Sequence, residues 1–169
     1  MSPDVAWRPM RPADLATVEP LGNAIHQDHP EDPAIFAERL ALCPEGCFVL
    51  DGPGGLAGYI ISHPWRLGQP PALNTLLGAL PGDADTWYIH DLALHPNARG
   101  TGAAATIIAI LARAANLPTM SLIAVGRSPA FWARQGFRPA PLPAGKLASY
   151  GAGASHMVRA RIPGPVNIS

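Results

Sequence analysis

The sequence has no excess of charge of either sign. Its 169 residues include 12 basic and 12 acidic side chains, which gives a formal net charge of zero. Only 14% of the residues are charged, and Lys146 is the only lysine. Nucleic-acid-binding domains normally carry a basic excess on one face. We therefore predict that nucleic acid is not a partner of this protein.

Long apolar segments are also missing. No run approaches the roughly 18 apolar residues that a membrane-spanning helix requires, and Met1 to Arg11 lacks the apolar stretch of a signal peptide. We therefore predict a cytoplasmic protein with no membrane partner. The length suits a single domain over residues 1–169, and an apolar content of 48% is enough to build its core.

Cysteine is scarce, since the chain contains only Cys43 and Cys47. Two thiols make no disulfide framework. A zinc site would need two more ligands, which His26 and His29 could supply. The alternative is a turn at Pro44–Gly46 between a helix and a strand, with both cysteines as small buried apolar residues. We favour the turn and predict no metal.

Proline and glycine, by contrast, are abundant, with 20 and 17 residues, and they divide the chain into short helices and strands. The predicted strands are Val5–Arg8, Cys47–Leu50, Leu56–His63, Thr86–Leu94, Met120–Val125, one that starts at Phe137, and His156–Ile162. The predicted helices are Pro12 to about His26, about Ala34 to Leu42, Ala103–Ala115 and Ser128–Gln135, and the predicted long loops are Pro64–Asp85 and Pro139–Gly151. This order indicates an α+β fold with a mixed sheet.

A glycine-rich turn, Arg99-Gly100-Thr101-Gly102, leads from a strand into the alanine-rich helix. Backbone N–H groups at such a helix start, together with the helix dipole, favour a bound phosphate, and Arg99 adds a suitable cation. A Walker turn is excluded because the only lysine lies far away. GTGAAA also matches a relaxed dinucleotide fingerprint, but that fold requires an acidic residue about 20 positions further on, and none follows there. A purely structural tight turn is the remaining alternative.

Three ordered motifs resemble those of the GNAT superfamily of N-acetyltransferases. RGTGAA at 99–104 is similar to its acetyl-CoA motif Gln/Arg-x-x-Gly-x-Gly/Ala. DLAL at 91–94, followed by His-Pro, resembles its preceding strand, and FWARQGF at 131–137 resembles its later Phe-Tyr-x-x-x-Gly-Phe motif. The resemblance implies a GNAT-like mixed, mostly antiparallel sheet of six to seven strands, with helices on both faces and a splayed fourth and fifth strand.

A looser resemblance to the arylalkylamine N-acetyltransferases lies in residues 38–51, 56–65 and 88–95. Together the two resemblances imply an N-acetyltransferase in which an amine attacks the thioester of acetyl-CoA, the co-substrate, directly. The superfamily resemblance implies that the cofactor-binding residues are Leu92, Ala93, Leu94, Arg99, Gly100, Thr101, Gly102, Ala103, Ala104, Ser128, Phe131 and Trp132.

The resemblance also points to a catalytic base. The arylalkylamine enzymes carry two histidines at alternate strand positions, which correspond to Tyr88 and His90 here, and His90 is the implied base, acting through water. A structural histidine bonded to an aspartate or to the backbone is the alternative. Because side chains alternate along a strand, we expect Tyr88, His90 and Leu92 on one face and Ile89, Asp91 and Ala93 on the other.

The proton donor for the leaving thiolate is less evident. Many GNAT enzymes have a tyrosine where Trp132 stands, and an indole N–H is no usable acid. Tyr150, Tyr88 or Ser128 could take its place, and we favour Tyr150. Alternatively the thiolate leaves unaided or is protonated by water, since a thiol pKa near 8.5 makes acid catalysis a modest help.

The acceptor pocket is expected between the first two helices and the two long loops. Phe36, Leu40, Trp65 and Tyr150 are the predicted lining residues. No acidic cluster of the kind that a polycationic acceptor would require lies there, although Glu31 and Asp32 could meet one ammonium group. We therefore expect the primary amine of a small, fairly apolar acceptor. Acetylation of a protein or peptide is an alternative that would require an open groove near Pro64–Asp85. A sensor that binds acyl-CoA without turnover is another. We expect a monomer or homodimer.

Overall fold

The computed structural model describes residues 4–160. Its strands are β1 (Ala6–Pro9), β2 (Cys47–Gly52), β3 (Gly55–Trp65), β4 (Thr86–Leu94), β5 (Thr119–Ala124), β6 (Arg138–Pro139) and β7 (Ser155–Ala160). Its α-helices are α1 (Leu15–Ile25), α2 (Pro33–Leu42), α3 (Ala103–Ala114) and α4 (Ser128–Arg134), and short 3-10 helices cover Pro12–Asp14, Pro44–Gly46, Pro96–Ala98 and Ala144–Tyr150.

The predicted helices and strands are all present, with small differences at their ends. Arg161 and Ile162, which end the predicted last strand, lie outside the described residues. The predicted loop Pro139–Gly151 contains the 3-10 helix Ala144–Tyr150, which its sequence pattern did not indicate.

The strands form one seven-stranded sheet in the order β1-β2-β3-β4-β5-β7-β6. β4 and β5 run parallel, and the other neighbouring strands run antiparallel. A parallel pair needs a crossover connection, and α3 lies in the segment that supplies it. The mixed, mostly antiparallel sheet confirms the predicted fold class.

Helices cover both faces of this sheet. α3 buries the apolar stripe Ile107, Ile108 and Leu111 against residues of the central strands such as Ile89 and Met120, as expected for a helix with one apolar face. On the opposite face, Val18 of α1 and Phe36 and Leu40 of α2 pack against Tyr59 and Ile61 of β3. We call these two sides the α3 face and the α1/α2 face.

Two irregularities in β4 shape the centre of the molecule. The ladder to β5 covers only Thr86–Ile89, which pairs with Thr119–Leu122. Beyond Ile89 the two strands separate, while β4 stays paired with β3 as far as Leu94. At the point of separation β4 contains one extra residue, His90, because Ile61 pairs with Asp91 and the next residue of β3, Ser62, pairs with Ile89. This is a β-bulge, a feature that redirects side chains locally.

The cysteine turn is confirmed. Cys43 and Cys47 are fully buried at the two ends of the 3-10 helix Pro44–Gly46. Burial raises the pKa of both thiols to about 12, so they are unreactive at neutral pH. Within residues 4–160, no three His, Cys, Asp or Glu side chains are grouped closely enough to hold a metal ion. None of the described helices has the length and hydropathy needed to cross a membrane.

Candidate active site

A cavity of about 820 Å³ opens where β4 and β5 separate. Residues of both strands, the start of α3, α4 and the loop between α1 and α2 form its walls. Ligand pockets of proteins usually fall between about 300 and 1,000 Å³. All the predicted cofactor-binding residues except Ala93 and Thr101 line this cavity.

One end of the cavity is built from the glycine-rich turn. Gly100 and Gly102 adopt positive φ angles of 77° and 83°, and no described atom outside the adjacent residues lies within 4 Å of the point where a Cβ would sit on either. Gly102, the N-cap residue of α3, has no side chain to cap the helix. The hydroxyl of Thr101 accepts from the N–H of Ala103 over 3.3 Å, whereas the N–H groups of Ala104 and Ala105 lack intrahelical partners. This arrangement suits an anion.

Cations and a bonded threonine complete this end. Arg99 in the turn and Arg127 and Arg134 at the two ends of α4 line the cavity, although only Arg99 was expected from the sequence. The hydroxyl of Thr101 donates to the carbonyl of Ala98 over 2.6 Å. The Thr101 side chain therefore holds the turn together and lies outside the cavity lining.

The middle of the cavity runs along the exposed edge of β4. The N–H of His95 donates to the carbonyl of Ala57 in β3, 2.8 Å away. Since the backbone polar groups of alternate residues point to opposite edges of a strand, those of Leu94 and Leu92 point into the gap left by β5. Ala93 is paired with Tyr59 of β3 and is buried on the α1/α2 face.

α4 forms the opposite wall through Phe131 and Trp132. The Trp132 ring packs edge-on against Phe131 and Phe137, with centroids 5.0 and 5.4 Å apart. Ser128 lines the cavity, but its hydroxyl donates to the carbonyl of Val125 over 2.6 Å and accepts from its N–H. Both of these hydrogen bonds of the Ser128 hydroxyl are made within the turn that begins α4.

The predicted assignment of faces on β4 is wrong from Asp91 onward. Tyr88 and His90 lie on the α1/α2 face, as shown by contacts with His63 and Glu31. Asp91 lies on the same face because it contacts His26 and Tyr59. Leu92 packs on the α3 face. The extra residue at the bulge shifts the alternation by one, so that two consecutive polar side chains share a face.

Two imidazole–carboxylate pairs result at this end of the cavity. His90 Nε2 lies 2.6 Å from Glu31 Oε1, and His26 Nε2 lies 2.7 Å from Asp91 Oδ1. The Glu31 Oε2 atom accepts from the N–H of Asn74 over 3.0 Å, and the hydroxyl of Tyr59 donates to Asp91. All four paired side chains line the cavity.

These contacts set the charge of the pairs. Burial alone would raise the pKa of Asp91, but the charge and hydrogen bond of His26 hold it below its usual value. Burial also opposes the ionisation of Glu31, yet the hydrogen bond to His90 keeps the pKa of this carboxyl low. Burial would lower the pKa of His26, but Asp91 raises it above the usual 6.5. Both carboxylates are therefore ionised at neutral pH.

The two tyrosines proposed as acids differ in position. Tyr150 lines the cavity, and its hydroxyl donates to the carbonyl of Pro71 over 2.8 Å. Burial raises its pKa to about 12. Tyr88 does not line the cavity, and its hydroxyl lies 3.4 Å from that of Tyr150. Burial raises the pKa of Tyr88 as well. Only Tyr150 therefore has access to a ligand.

Three loops are bonded to one another over the end of the cavity that contains the imidazole–carboxylate pairs. We call these three loops the roof. His29 of the α1–α2 loop lies with Nε2 3.0 Å from the carbonyl of Tyr150 in the β6–β7 loop. The hydroxyl of Ser149 accepts from the N–H of Leu73 in the β3–β4 loop over 2.9 Å. The Glu31–Asn74 and Tyr150–Pro71 bonds join the same segments.

The predicted acceptor residues lie elsewhere. Phe36 and Leu40 are buried in the core against Tyr59, so the structure places both in the packing of α2. Trp65 donates from its indole to the carbonyl of Gln69 and does not line the cavity. Asp32 bonds to Asn74 in the roof. Of the predicted acidic contacts, only Glu31 lines the cavity.

Sequence reasoning missed the carboxylate partner of each histidine in the two imidazole–carboxylate pairs. Glu31 lies 59 residues from His90 along the chain, and no spacing pattern connects two groups so far apart. The pairing of His26 with Asp91 was missed because the bulge was not foreseen. An irregular strand leaves no signal in the periodicity of TWYIHDLAL.

The profile of the Acetyltransferase (GNAT) family matches residues 12–137 of this chain. That range contains the glycine-rich turn, the whole of β4 and α4. The sequence has no significant match among curated proteins.

Solved structures share the fold across nearly the whole chain. Ard1 from Thermoplasma volcanium aligns with a TM-score of 0.69 at 15% identity, over 94% of this chain and 99% of that chain. The N-acetylglutamate synthase from Neisseria gonorrhoeae, solved with coenzyme A and N-acetyl-glutamate, aligns with a TM-score of 0.66 at 19% identity, over 94% and 35% of the two chains. GphF, a GNAT-like decarboxylase in complex with isobutyryl-CoA, aligns with a TM-score of 0.67 at 16% identity, over 93% and 100%.

Proposed function

Because this chain belongs to the GNAT acetyltransferase family, we propose that it transfers an acetyl group from acetyl-CoA to the primary amine of a small, fairly apolar acceptor. Membership makes the protein an acyltransferase that uses an acyl-CoA donor. The choice of acetyl, the amine and its size are our proposal. The balanced charge supports a small-molecule acceptor over nucleic acid, and we place the enzyme in the cytoplasm, as a monomer or homodimer.

The residues along the cavity fit an acyl-CoA donor. The turn Arg99–Ala104 offers uncapped N–H groups and a cation for the pyrophosphate. The unpaired edge of Leu92 and Leu94 offers backbone groups for the amides of the pantetheine arm, as an added strand would use them. The donor supplies an activated thioester. An N–H of the same edge can stabilise the negative charge that develops on its carbonyl oxygen.

The roof is the observation that favours a small acceptor. A peptide substrate would require an open groove across the site. In this protein the α1–α2 and β6–β7 loops are bonded to each other through His29 and Tyr150, and the β3–β4 loop joins them. Ile25 and Leu73 add apolar surface to the cavity that contains the imidazole–carboxylate pairs. An amine of modest size with an apolar body matches these surroundings.

The acceptor must lose a proton before it reacts, since an alkylammonium has a pKa of roughly 10. We assign this role to His90, which lines the cavity next to the exposed edge of β4. The imidazole takes the ammonium proton and releases it to solvent before the transfer step. The free amine nitrogen then bonds to the carbonyl carbon, the carbon–sulfur bond breaks, the electron pair leaves on sulfur, and the second proton lost by the nitrogen passes to the imidazole. A positioned base contributes about 10²–10⁴-fold to such a rate.

We assign Tyr150 as a hydrogen-bond donor to the leaving thiolate, a role for which its hydroxyl must turn from the carbonyl of Pro71 toward the cavity. With a pKa of about 12 it keeps its proton at neutral pH. Full transfer of that proton to a thiolate whose conjugate acid has a pKa of roughly 8.5 is unfavourable. The thiolate can therefore leave as the anion. The presence of Trp132 in place of the usual tyrosine consequently reduces the reaction rate little.

Titration calorimetry with acetyl-CoA tests the donor site. We expect micromolar binding by the wild type and a loss of about tenfold in Arg99→Ala, since one cation at a phosphate is removed. Arg113→Ala is the matched control, because Arg113 is exposed in the last turn of α3 and does not line the cavity. A folded wild-type protein that does not bind acetyl-CoA would refute the proposal.

Turnover is tested with a panel of primary amines and short peptides, followed by thiol release. Preference for small amines, and a large loss in His90→Gln, would support the assignment. Preference for peptides would instead support the alternative acceptor class. Binding of acetyl-CoA without turnover of any amine would identify a sensor.

A further inference from the structure

We propose that Glu31 is a positioning residue for His90, so that the two form a carboxylate–imidazole dyad at the end of the cavity where the acceptor binds. This inference rests on the proposed role of His90 as the base. The pair is nearly dry, since the side chains of His90 and Glu31 are only 2% and 7% exposed. His90 Nε2 and Glu31 Oε1 are 2.6 Å apart, the distance of a short charge-assisted hydrogen bond.

The Glu31 carboxylate is itself fixed. Its second oxygen accepts from the N–H of Asn74, and Asn74 in turn accepts from the N–H of Asp32 over 2.7 Å through its side-chain oxygen. Asn74 has a positive φ of 58°, a conformation in which Asn is among the favoured residues. With both oxygens bonded, the carboxylate presents one orientation to His90.

An ionised carboxylate at Nε2 determines which ring nitrogen is the base. In neutral imidazole one nitrogen carries the proton and the other accepts. Glu31 can only accept, so Nε2 carries the proton and Nδ1 holds the lone pair. His90 Nδ1 is buried and has no partner among the described residues. A buried polar atom without a partner is costly, and the acceptor amine, directly or through one water, can supply that partner.

The other charged and titratable side chains around His90 leave Glu31 to determine which ring nitrogen carries the proton. Asp91 in β4 is paired with His26. His63 in β3 is neutral, because burial lowers its pKa to about 3. Arg39 of α2 is paired with Glu38 at 2.7 Å, and Tyr150 keeps its proton. When His90 accepts the amine proton, Glu31 is the carboxylate that directly stabilises the imidazolium, as an aspartate does in a serine–histidine–aspartate triad.

Two matched variants test the dyad. Glu31→Gln removes the charge at His90. Glu38→Gln is the control, because Glu38 also bonds to the β3–β4 loop, through the N–H groups of Leu77 and Gly78, but has no contact with His90. We expect kcat/KM to fall about 10- to 100-fold in Glu31→Gln, part of the contribution of a base. The acidic limb of its pH profile should move to lower pH, with the Kd for acetyl-CoA unchanged. Glu38→Gln should keep the wild-type limb.

A second readout does not depend on turnover. Nitrogen-15 NMR of the imidazole, with the His90 signal identified by its loss in His90→Gln, reports which ring nitrogen is protonated. We expect Nε2–H in the wild type and in Glu38→Gln, and a mixture of tautomers in Glu31→Gln. A wild-type tautomer and pH profile in Glu31→Gln would overturn the dyad. If no amine is turned over, the acyl-transfer proposal fails while the tautomer still decides whether Glu31 orients His90.

Discussion

At the residue scale, one extra amino acid in β4 determines which side chains meet at the site. The bulge at His90 brings Asp91 to the α1/α2 face together with His90. In a regular strand Asp91 would lie on the α3 face, among the apolar residues that pack around Ile107 and Leu111. The bulge therefore places two imidazole–carboxylate pairs side by side in the cavity.

The His26–Asp91 pair predicts a pH dependence of stability. Asp91 raises the pKa of His26 in the folded state, so the stabilisation is complete below the unfolded value near 6.5 and is lost as the pH rises through the folded value. Urea unfolding from about pH 6 to about pH 9 should show this decrease in the free energy of unfolding.

His26→Gln should flatten that part of the profile, because glutamine does not titrate. His95→Gln is the control, since His95 is exposed at the end of β4 and its side chain accepts a hydrogen bond from the N–H of Asn97. Equal slopes in the wild type and His26→Gln would show that the pair does not contribute.

At the scale of elements, the junction between β4 and α3 is the most specialised part of the chain. A strand that loses one neighbour is followed by a turn with two left-handed glycines and a helix without a side-chain cap. The open edge of β4 and the start of α3 both leave backbone donors without intramolecular partners, and both line the cavity. Local stability is reduced at this junction in a way that a bound anion can restore.

The binding role of this junction can be tested with two alanine substitutions that impose the same backbone strain. Gly102 and Gly136 have φ angles of 83° and 90°, and at both positions the space that an alanine methyl group would occupy is free of other atoms within 4 Å. Each Gly→Ala change should reduce the free energy of unfolding by about 1–2 kcal/mol. Only Gly102→Ala should also raise the Kd for acetyl-CoA, by about tenfold or about 1.4 kcal/mol, because Gly136 does not line the cavity.

Equal effects of the two substitutions on acetyl-CoA affinity would contradict a binding role for the turn. Calorimetry gives the affinity, and urea unfolding of both variants confirms that their stabilities match.

At the scale of the whole molecule, the acceptor end of the cavity is assembled from segments far apart in the sequence. The roof joins loops near residues 29, 73 and 150 through His29, Ser149 and Tyr150. The β3–β4 loop lies at the end of the sheet where β4 begins, and the β6–β7 loop lies at the opposite end, where β5 finishes. The roof therefore forms because these two loops and the α1–α2 loop extend toward one another over the sheet. Under the proposed function, the size of acceptor that fits therefore depends on the tertiary structure.

Opening the roof should relax the selection of acceptors. His29→Ala removes the direct contact between the α1–α2 and β6–β7 loops. We expect kcat/KM for bulky amines to rise about tenfold relative to small amines, the usual effect of a small steric change in a pocket. Asp28→Ala, at an exposed neighbouring position in the same loop, should leave the ratio unchanged. An unchanged ratio in His29→Ala would argue that another element limits acceptor size.

The element order, the cysteine turn and the glycine-rich turn could be read from the sequence, because each is encoded by neighbouring residues. Apolar spacing marks Ile107, Ile108 and Leu111 as one face of a helix. Glycine marks positions 100 and 102 as points where the backbone is left-handed. Phe36 and Leu40 show the limit of this reasoning, since an apolar residue near a site fits the core and the pocket equally well.

By itself the sequence determined which chemical groups the protein has and on which local element each one lies, including His90 on the central strand. Tertiary structure alone decided that His90 meets Glu31, that Asp91 shares its face, and that Tyr150 closes over the cavity. The physical reason is the distance along the chain over which each interaction acts. Helix and strand periodicity act over a few residues, whereas strand register, a bulge and contacts between distant loops depend on how the whole chain packs.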